Sequence, residues 1–239
     1  MLTRNEYFKQ KEELESISQK YLSEIKSGQY RSRRNGVSNY NGINNVFMDD
    51  IASHISKIKN KNKPLVHLDL CGRLNAFSLG ADVSYMFTLG ASHKNVNLGS
   101  NEFLVDGDIF NNNDYQNLLN IISKNNHKVS FITFEIIAAF RKYEGNGILN
   151  ESSPLVNHIL KKRLDSSLKL LEKDGIMYLS SPFHIGRKED FIVNINGNYE
   201  KEIGELSVTK GIVNIAKKNN CEVKYADAYR GPFYLIIKN

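Results

Sequence analysis

The sequence has very little cysteine, no tryptophan and only four prolines. Its two cysteines, Cys71 and Cys221, lie far apart among the 239 residues and form no CxxC pair. This shortage excludes a small domain held together by disulfides, and it is typical of a reducing compartment. The histidines and cysteines also lack the spacing of metal ligands, so the sequence predicts no metal site.

Long apolar runs are missing as well. No stretch reaches the roughly 18 consecutive apolar residues that a membrane-spanning helix needs. The N-terminal segment MLTRNEYFKQKEELE is charged and lacks the apolar core of a secretory signal. These absences predict a cytoplasmic protein without a membrane span.

The composition is that of an ordinary globular protein. Hydrophobic residues make up 41% and charged residues 24%, and the length suffices for one domain with a complete core. The formal net charge of +6 permits acidic partners, including nucleic acid. The lysines are scattered along the chain, however, so charge alone favours no such partner.

The first quarter of the chain predicts a helical extension. Apolar residues recur at helical spacing within residues 1–26 and again within about 46–58, with a loop rich in glycine, serine and asparagine between them. A polar hinge, residues 59–64, follows. We place the boundary there: residues 1–60 form an N-terminal helical extension or lid, and residues 61–239 form the main domain.

The rest of the chain alternates short apolar runs with helical patterns, which indicates an α/β fold. Only Arg230 and Gly231 separate the last two strands, which must therefore be antiparallel. Helices are predicted near 74–80 and over 114–124, 152–172 and 206–218. Strands are predicted over 65–70, 83–89, 102–107, 128–134, 175–181, 221–229 and 232–239.

Five segments carry a resemblance to a known family. In order they are VHLDLCG (66–72), FLVDGDIFN (103–111), FITFEII (131–137), LKLLEKDGIMYLSS (168–181) and EVKYADAYRGPFYLIIKN (222–239). Their order and spacing resemble those of Rossmann-like (class I) S-adenosylmethionine-dependent methyltransferases. The resemblance implies a seven-stranded, mostly parallel sheet with an antiparallel C-terminal hairpin and helices on both faces.

The resemblance also implies S-adenosylmethionine as cofactor. Asp69 would accept hydrogen bonds from the ammonium group of the ligand or, alternatively, order its own loop. Asp108 would accept from the adenine amino group, and the Ile109 N–H would reach the ring. Alternatively, Asp108 is a turn residue bonded to its own backbone, the role that we assign to Asp106. The implied cofactor contacts are Asp69, Cys71, Gly72, Arg73, Asn75, Leu89, Asp108, Ile109 and Glu135.

Two positions depart from the family pattern. Cys71, Arg73 and Asn75 stand where the family loop has three glycines, and Gly72 is out of phase by one. The end of the second strand, FTLGAS (87–92), lacks the acidic residue that binds the ribose. These departures support the alternative of a catalytically degenerate binding or assembly module.

Two residues are candidates for catalysis. Glu135 follows the fourth strand, where a carboxylate could act as a base or, alternatively, stabilise a helix N-terminus. His184 follows the fifth strand and has a suitable intrinsic pKa, although such a histidine is more often a surface residue. His67 alternates into a strand and is predicted to be a satisfied buried histidine. Tyr30, Arg31 and Arg34 are the candidate substrate or lid residues.

The sequence therefore predicts an S-adenosylmethionine-dependent methyltransferase that acts on a small molecule, with protein or RNA as alternative acceptors. Methyl transfer from a sulfonium needs alignment and exclusion of water more than covalent help. An enzyme should bring Asp69, Asp108 and Glu135 to one crevice. A nucleic-acid enzyme should also place a basic face beside that crevice, formed by Arg31, Arg33, Arg34 and Lys57–Lys63.

Overall fold

The computed structural model describes somewhat more than half of the chain, in separate ranges. The predicted helix over 1–26 lies outside it except for Lys9 and Glu12, which are helical and exposed. The predicted helix near 74–80 also lies outside. The described residues are Lys9, Glu12, 47–71, 81–89, 99–135, 154–180, 191–194, 207–228 and 231–239.

Within the described ranges the chain forms helices and strands in the predicted alternation. The helices are α1 (Met48–Lys59), α2 (Asn112–Lys124), α3 (Pro154–Leu170) and α4 (Ser207–Lys218). The strands are β1 (Val66–Leu70), β2 (Val83–Thr88), β3 (Glu102–Asp106), β4 (Val129–Glu135), β5 (Leu171–Ser180), β6 (Phe191–Asn194), β7 (Cys221–Ala228) and β8 (Gly231–Lys238).

All eight strands of the described residues belong to one sheet in the order β3-β2-β1-β4-β5-β8-β7-β6. Strands β1 to β5 pair in parallel, whereas β8 is antiparallel to both β5 and β7. This doubly wound sheet with an antiparallel C-terminal hairpin confirms the predicted fold class. The sheet has one strand more than the seven predicted, because β6, with only four residues (FIVN), pairs at its edge.

The junction between α3 and β5 differs from the prediction. The helix predicted over 152–172 ends at Leu170, and the Asp174–Gly175 pair lies inside β5, which starts at Leu171. Asp174 has a left-handed backbone with φ of 64°. A Cβ at Gly175 would lie 2.9 Å from the carbonyl oxygen of Glu172. The pair therefore bends the chain within the strand, where a larger residue than glycine does not fit.

The two faces of the sheet are covered by different helices. Buried residues of α2, α3 and α4 pack on one face, against Leu68, Phe87 and Ile132 among others. Helix α1 packs on the other face, where Ile51 and Ile55 belong to one cluster with strand residues of β4, β5 and β8. Helix α1 is thus a layer of the core, and the domain boundary at residue 60 stays a prediction.

The hinge after α1, residues 59–64, is bonded to the amino-terminal edge of the sheet by ion pairs. Lys61 pairs with Asp174, and Lys63 lies 3.2 Å from Glu172, whose other oxygen accepts from the Ser130 hydroxyl at 2.7 Å. Both lysines are about half exposed, so each pair contributes well under about 1 kcal/mol. The contacts nevertheless fix where the hinge lies.

Candidate functional site

The strand order defines the place where a ligand crevice is expected. The chain proceeds from β1 to β2 and β3 on one side and from β4 to β5 on the other. Open α/β sheets bind ligands at such a reversal, beyond the carboxyl ends of the strands. Cys71, Asp108 and Glu135 follow or end β1, β3 and β4, so the sheet brings them to the same edge. The side chain of Glu135 lies outside the described part of the structure.

Asp69 belongs to a buried polar chain that links β1 to β4. Its Oδ1 atom accepts a hydrogen bond of 2.8 Å from the Thr133 hydroxyl, which lies 2.9 Å from Nε2 of His67. All three side chains are buried. An ionised carboxylate can only accept, so the single Thr133 proton goes to Asp69 and Nε2 of His67 must carry the proton donated to Thr133. The chain of donors thus fixes the histidine tautomer.

His67 is buried as predicted, but it is satisfied at only one nitrogen. Its ring stacks on Phe131 with the centroids 5.0 Å apart. Nδ1 has no hydrogen-bond partner among the residues that the structure describes. Burial lowers the pKa of His67 to about 4, so the ring is neutral at physiological pH.

The low pKa of His67 predicts a pH dependence of stability. Between pH 6.5 and about 4 the unfolded histidine binds a proton and the folded one does not, so stability falls as the pH falls through this window. From pH 7 to 5.5 we expect this residue to remove about 1 kcal/mol of unfolding free energy. Urea unfolding of wild type and His67→Gln at both pH values checks this: the glutamine variant should lose less. Equal losses would contradict the prediction.

Cys71 begins the loop after β1 with a left-handed backbone. Its φ is 63°, and its N–H donates to the Phe87 carbonyl oxygen at 2.9 Å. Such φ values favour glycine, and the family that the sequence resembles has glycine at this position. Cys71 therefore starts the loop on a path that glycine usually takes. Gly72, Arg73 and Asn75 lie outside the described residues.

The turn after β3 presents a carboxylate next to an amide that no described residue bonds. Asp108 is 7% exposed, and its Oδ1 accepts from the Phe110 N–H at 3.0 Å, the turn-type bond considered as the alternative. The Asp108 N–H donates to Asp114 Oδ2 at 2.9 Å. The N–H of buried Ile109 has no hydrogen-bond partner in the described part of the chain. Buried amides are nearly always paired, so the partner of this one lies beyond the described residues.

Arg163 of α3 is hydrogen-bonded to this turn. The sequence did not predict this residue as part of the site. Its Nε donates to the Ile109 carbonyl oxygen at 2.8 Å, and Nη1 lies 3.3 Å from Asn112 Oδ1. The guanidinium carbon lies 4.6 Å from the centroid of the Tyr115 ring, whose hydroxyl is 2.7 Å from Ser167 Oγ. Burial lowers the pKa of Arg163 and raises that of Tyr115.

A signal for Arg163 is present in the sequence. The apolar stripe of α3 contains Leu160, Leu164 and Leu168, all buried. Arg163 and Ser167 are neighbours of that stripe at helical spacing and are buried too. Polar residues beside an apolar stripe are placed where a buried polar contact can form, and here Arg163 reaches the turn after β3.

The remaining predicted site residues divide into two groups. Leu89 directly follows β2 and is half-buried, and no acidic residue lies between Val83 and Leu89. The other group, His184, Tyr30, Arg31 and Arg34, lies outside the described residues. Their roles stay predictions.

The lysines of the predicted basic face do not flank the crevice. The segment Lys57–Lys63 ends α1 and precedes the amino end of β1, so it lies at the edge of the sheet opposite the carboxyl ends. Two of its lysines, Lys61 and Lys63, are paired with carboxylates. The lysine segment therefore does not meet the condition set for a nucleic-acid enzyme, because the hinge runs to the start of β1 and not to its end.

Among the described residues, no group of three or more histidine, cysteine or acidic side chains could hold a metal ion. None of the described helices is long and apolar enough to cross a membrane.

The sequence matches no protein family model and no curated protein. Similar solved structures include a precorrin-6y C5,15-methyltransferase from Geobacter metallireducens (10% identity, TM-score 0.43, 90% of this chain and 97% of that one). A sugar N-methyltransferase from Streptoalloteichus has 10% identity and a TM-score of 0.45 over 88% and 96% of the two chains. A magnesium protoporphyrin IX methyltransferase from Synechocystis has 11% identity and a TM-score of 0.40 over 80% and 83%. At such low values the fold assignment rests on the observed strand order and register.

Proposed function

We propose that the chain binds S-adenosylmethionine and transfers its methyl group to a small-molecule acceptor. One observation supports this most: the turn after β3 presents the buried Asp108 carboxylate beside the Ile109 N–H, which has no hydrogen-bond partner among the described residues. Adenine has an amino donor next to a ring-nitrogen acceptor. An acceptor and a donor on adjacent residues match that pattern, and their place at the carboxyl edge of the sheet suits a nucleoside ligand.

The residues after β1 fit the other end of the same cofactor. The left-handed backbone of Cys71 turns the chain sharply at the end of β1, as close approach of backbone to a ligand requires. Asp69 lies two residues earlier, held by Thr133, and supplies negative charge for the ligand ammonium group. The described end of β2 offers no carboxylate to the ribose, so backbone groups or residues beyond Leu89 have to bind its hydroxyls.

The proposed reaction needs little from the protein beyond placement and removal of one proton. Bound S-adenosylmethionine supplies an already activated methyl group. The chain aligns the acceptor and excludes water, which together account for much of the acceleration of such a transfer. Glu135 at the end of β4 is our candidate for the base that takes the acceptor proton, and His184 is the second candidate.

A small molecule is favoured over nucleic acid by the position of the lysines. Nucleic acid is bound mainly through contacts between phosphates and basic side chains. The segment Lys57–Lys63 lies at the edge of the sheet away from the crevice and is partly neutralised by Asp174 and Glu172. These lysines are therefore not placed to attract nucleic acid to the proposed site.

Calorimetric titration with S-adenosylmethionine and S-adenosylhomocysteine tests the proposal. We expect binding in the micromolar range for wild type and a roughly ten- to hundredfold weaker affinity for Asp108→Asn, because a charged acceptor is lost. Asn keeps an oxygen for the Phe110 N–H, so the turn should persist. Asp106→Asn, two residues away and exposed, is the matched control and should bind like wild type.

Two results would count against the proposal. Folded, cofactor-free wild type that binds neither compound at millimolar concentration would favour the degenerate module instead. Equal weakening by both asparagine variants would remove Asp108 from the site.

A further inference from the structure

We infer that Arg163 is a positioning residue that sets the base specificity of this site by acting on Asp108 through the Ile109–Phe110 peptide. The inference rests on the proposed function, since it assigns how the adenine half of the cofactor is chosen. Arg163 itself need not touch the ligand. Its contacts are with the turn.

The geometry of one peptide unit carries the inference. The C=O of Ile109 and the N–H of Phe110 belong to the same planar group. Arg163 Nε donates to that C=O at 2.8 Å, and the N–H donates to Asp108 Oδ1 at 3.0 Å. The peptide is thus held on both sides, by a cation and by a carboxylate. A charged donor polarises the peptide and strengthens the hydrogen bond on its far side.

The burial of Arg163 indicates a role other than simple packing. Its side chain is buried, yet none of the ion pairs among the described residues includes it. Its described partners are the Ile109 carbonyl, the Asn112 amide oxygen and the Tyr115 ring. A buried cation whose hydrogen-bond partners are neutral is costly. Its charge interacts favourably with nearby Asp108.

The chemistry of the purine explains what such positioning can select. Adenine presents a donor at its amino group and an acceptor at N1. Hypoxanthine, in which a carbonyl oxygen replaces the amino group, presents an acceptor there and a donor at N1. Asp108 as acceptor and Ile109 as donor match the first pattern and oppose the second. Discrimination requires that the carboxylate keep its orientation, and sites built this way reject the mismatched analogue strongly.

The test compares the affinities of S-adenosylhomocysteine and S-inosylhomocysteine. Wild type should prefer the adenine compound by at least about tenfold, and Arg163→Met should reduce this preference about tenfold, mainly by weaker binding of the adenine compound. Lys162→Met removes an equal charge from the adjacent exposed position and should keep the wild-type ratio. Arg163→Lys keeps a buried cation but not the planar fork, so we expect an intermediate ratio.

The readout separates a positioning role from a structural one. Looser packing would weaken both compounds equally and leave their ratio unchanged, so an unchanged ratio in a folded variant would overturn the inference. If Arg163→Met does not fold by circular dichroism, the ratio in Arg163→Lys decides. If wild type binds neither compound, the proposed function itself is contradicted. That result differs from a variant that binds both compounds with an unchanged ratio of affinities.

Discussion

Replacing Gly107 by alanine should lower the free energy of unfolding by about 3 kcal/mol and abolish cofactor binding. A Cβ at Gly107 would lie 2.6 Å from Phe87 Cε2 and 2.8 Å from Asp114 Cβ. Neither of these side chains can move away easily. Phe87 is 1% exposed in the core, and Asp114 is fixed in the first turn of α2, where its carboxylate accepts from the Asp108 N–H. The added methyl group therefore has to displace the turn that carries Asp108.

Gly99→Ala is the matched control. Its Cβ would meet only the flexible Glu102 side chain, at 3.5 Å or more. We expect a change within about 0.5 kcal/mol there, as for most exposed substitutions. Chemical denaturation of both variants measures the difference, and titration with S-adenosylhomocysteine follows the site. Similar stability of the two alanine variants would show that the turn can relax, contrary to our expectation.

Thr133→Val should also be strongly destabilising, by roughly 3 kcal/mol, although it conserves shape and leaves no cavity. The Thr133 hydroxyl is the described link between His67 and Asp69. Without it, Nε2–H of His67 becomes a second unpaired buried atom of that ring, and the buried Asp69 carboxylate loses a donor. Leaving such groups without partners costs more than forming the bonds gains.

Thr88→Val provides the comparison for the lost hydroxyl. Thr88 ends β2, is half-buried, and its hydroxyl makes no hydrogen bond among the described residues. Its replacement should change stability by less than about 0.5 kcal/mol. Urea unfolding of the two valine variants at pH 7 measures the contrast. A loss for Thr133→Val no larger than that for Thr88→Val would mean that the polar chain contributes little to stability.

The sequence predicts the layered fold well because the fold depends on repeated signals. Each strand is a short apolar run, and the two-residue link predicted between the last two strands requires the hairpin that β7 and β8 form. Strand β6 was missed because four residues at a sheet edge give no periodic signal. Helix α3 ends earlier than its pattern suggested because Leu171 is already paired with Val129 of β4. That tertiary pairing leaves no mark in local sequence.

The site is only partly predictable for a similar reason. The edge position of Asp108 follows from its place after an apolar strand, and the resemblance added the expected role. Arg163 reaches the turn from a helix that begins 46 residues later in sequence (Pro154 against Asp108). Such a contact depends on how two helices pack, which propensity and spacing do not specify. Likewise, the presence of cysteine in place of glycine at position 71 did not predict that this residue has a left-handed backbone.

The strand order also determines when the sheet can close during translation. Strand β8 is the last strand in chain order, yet it lies between β5 and β7 in the sheet. Helix α1 is synthesised much earlier. Its Asp50 accepts a hydrogen bond from Lys224, which follows 174 residues later in the chain. At about 5–20 residues per second, ribosomal synthesis leaves the apolar face of α1 without its β8 partners for roughly 10 to 35 seconds. A nascent chain of this topology therefore exposes both the apolar face of α1 and the unpaired edge of β5. Protection by chaperones is most valuable just before the final hairpin emerges.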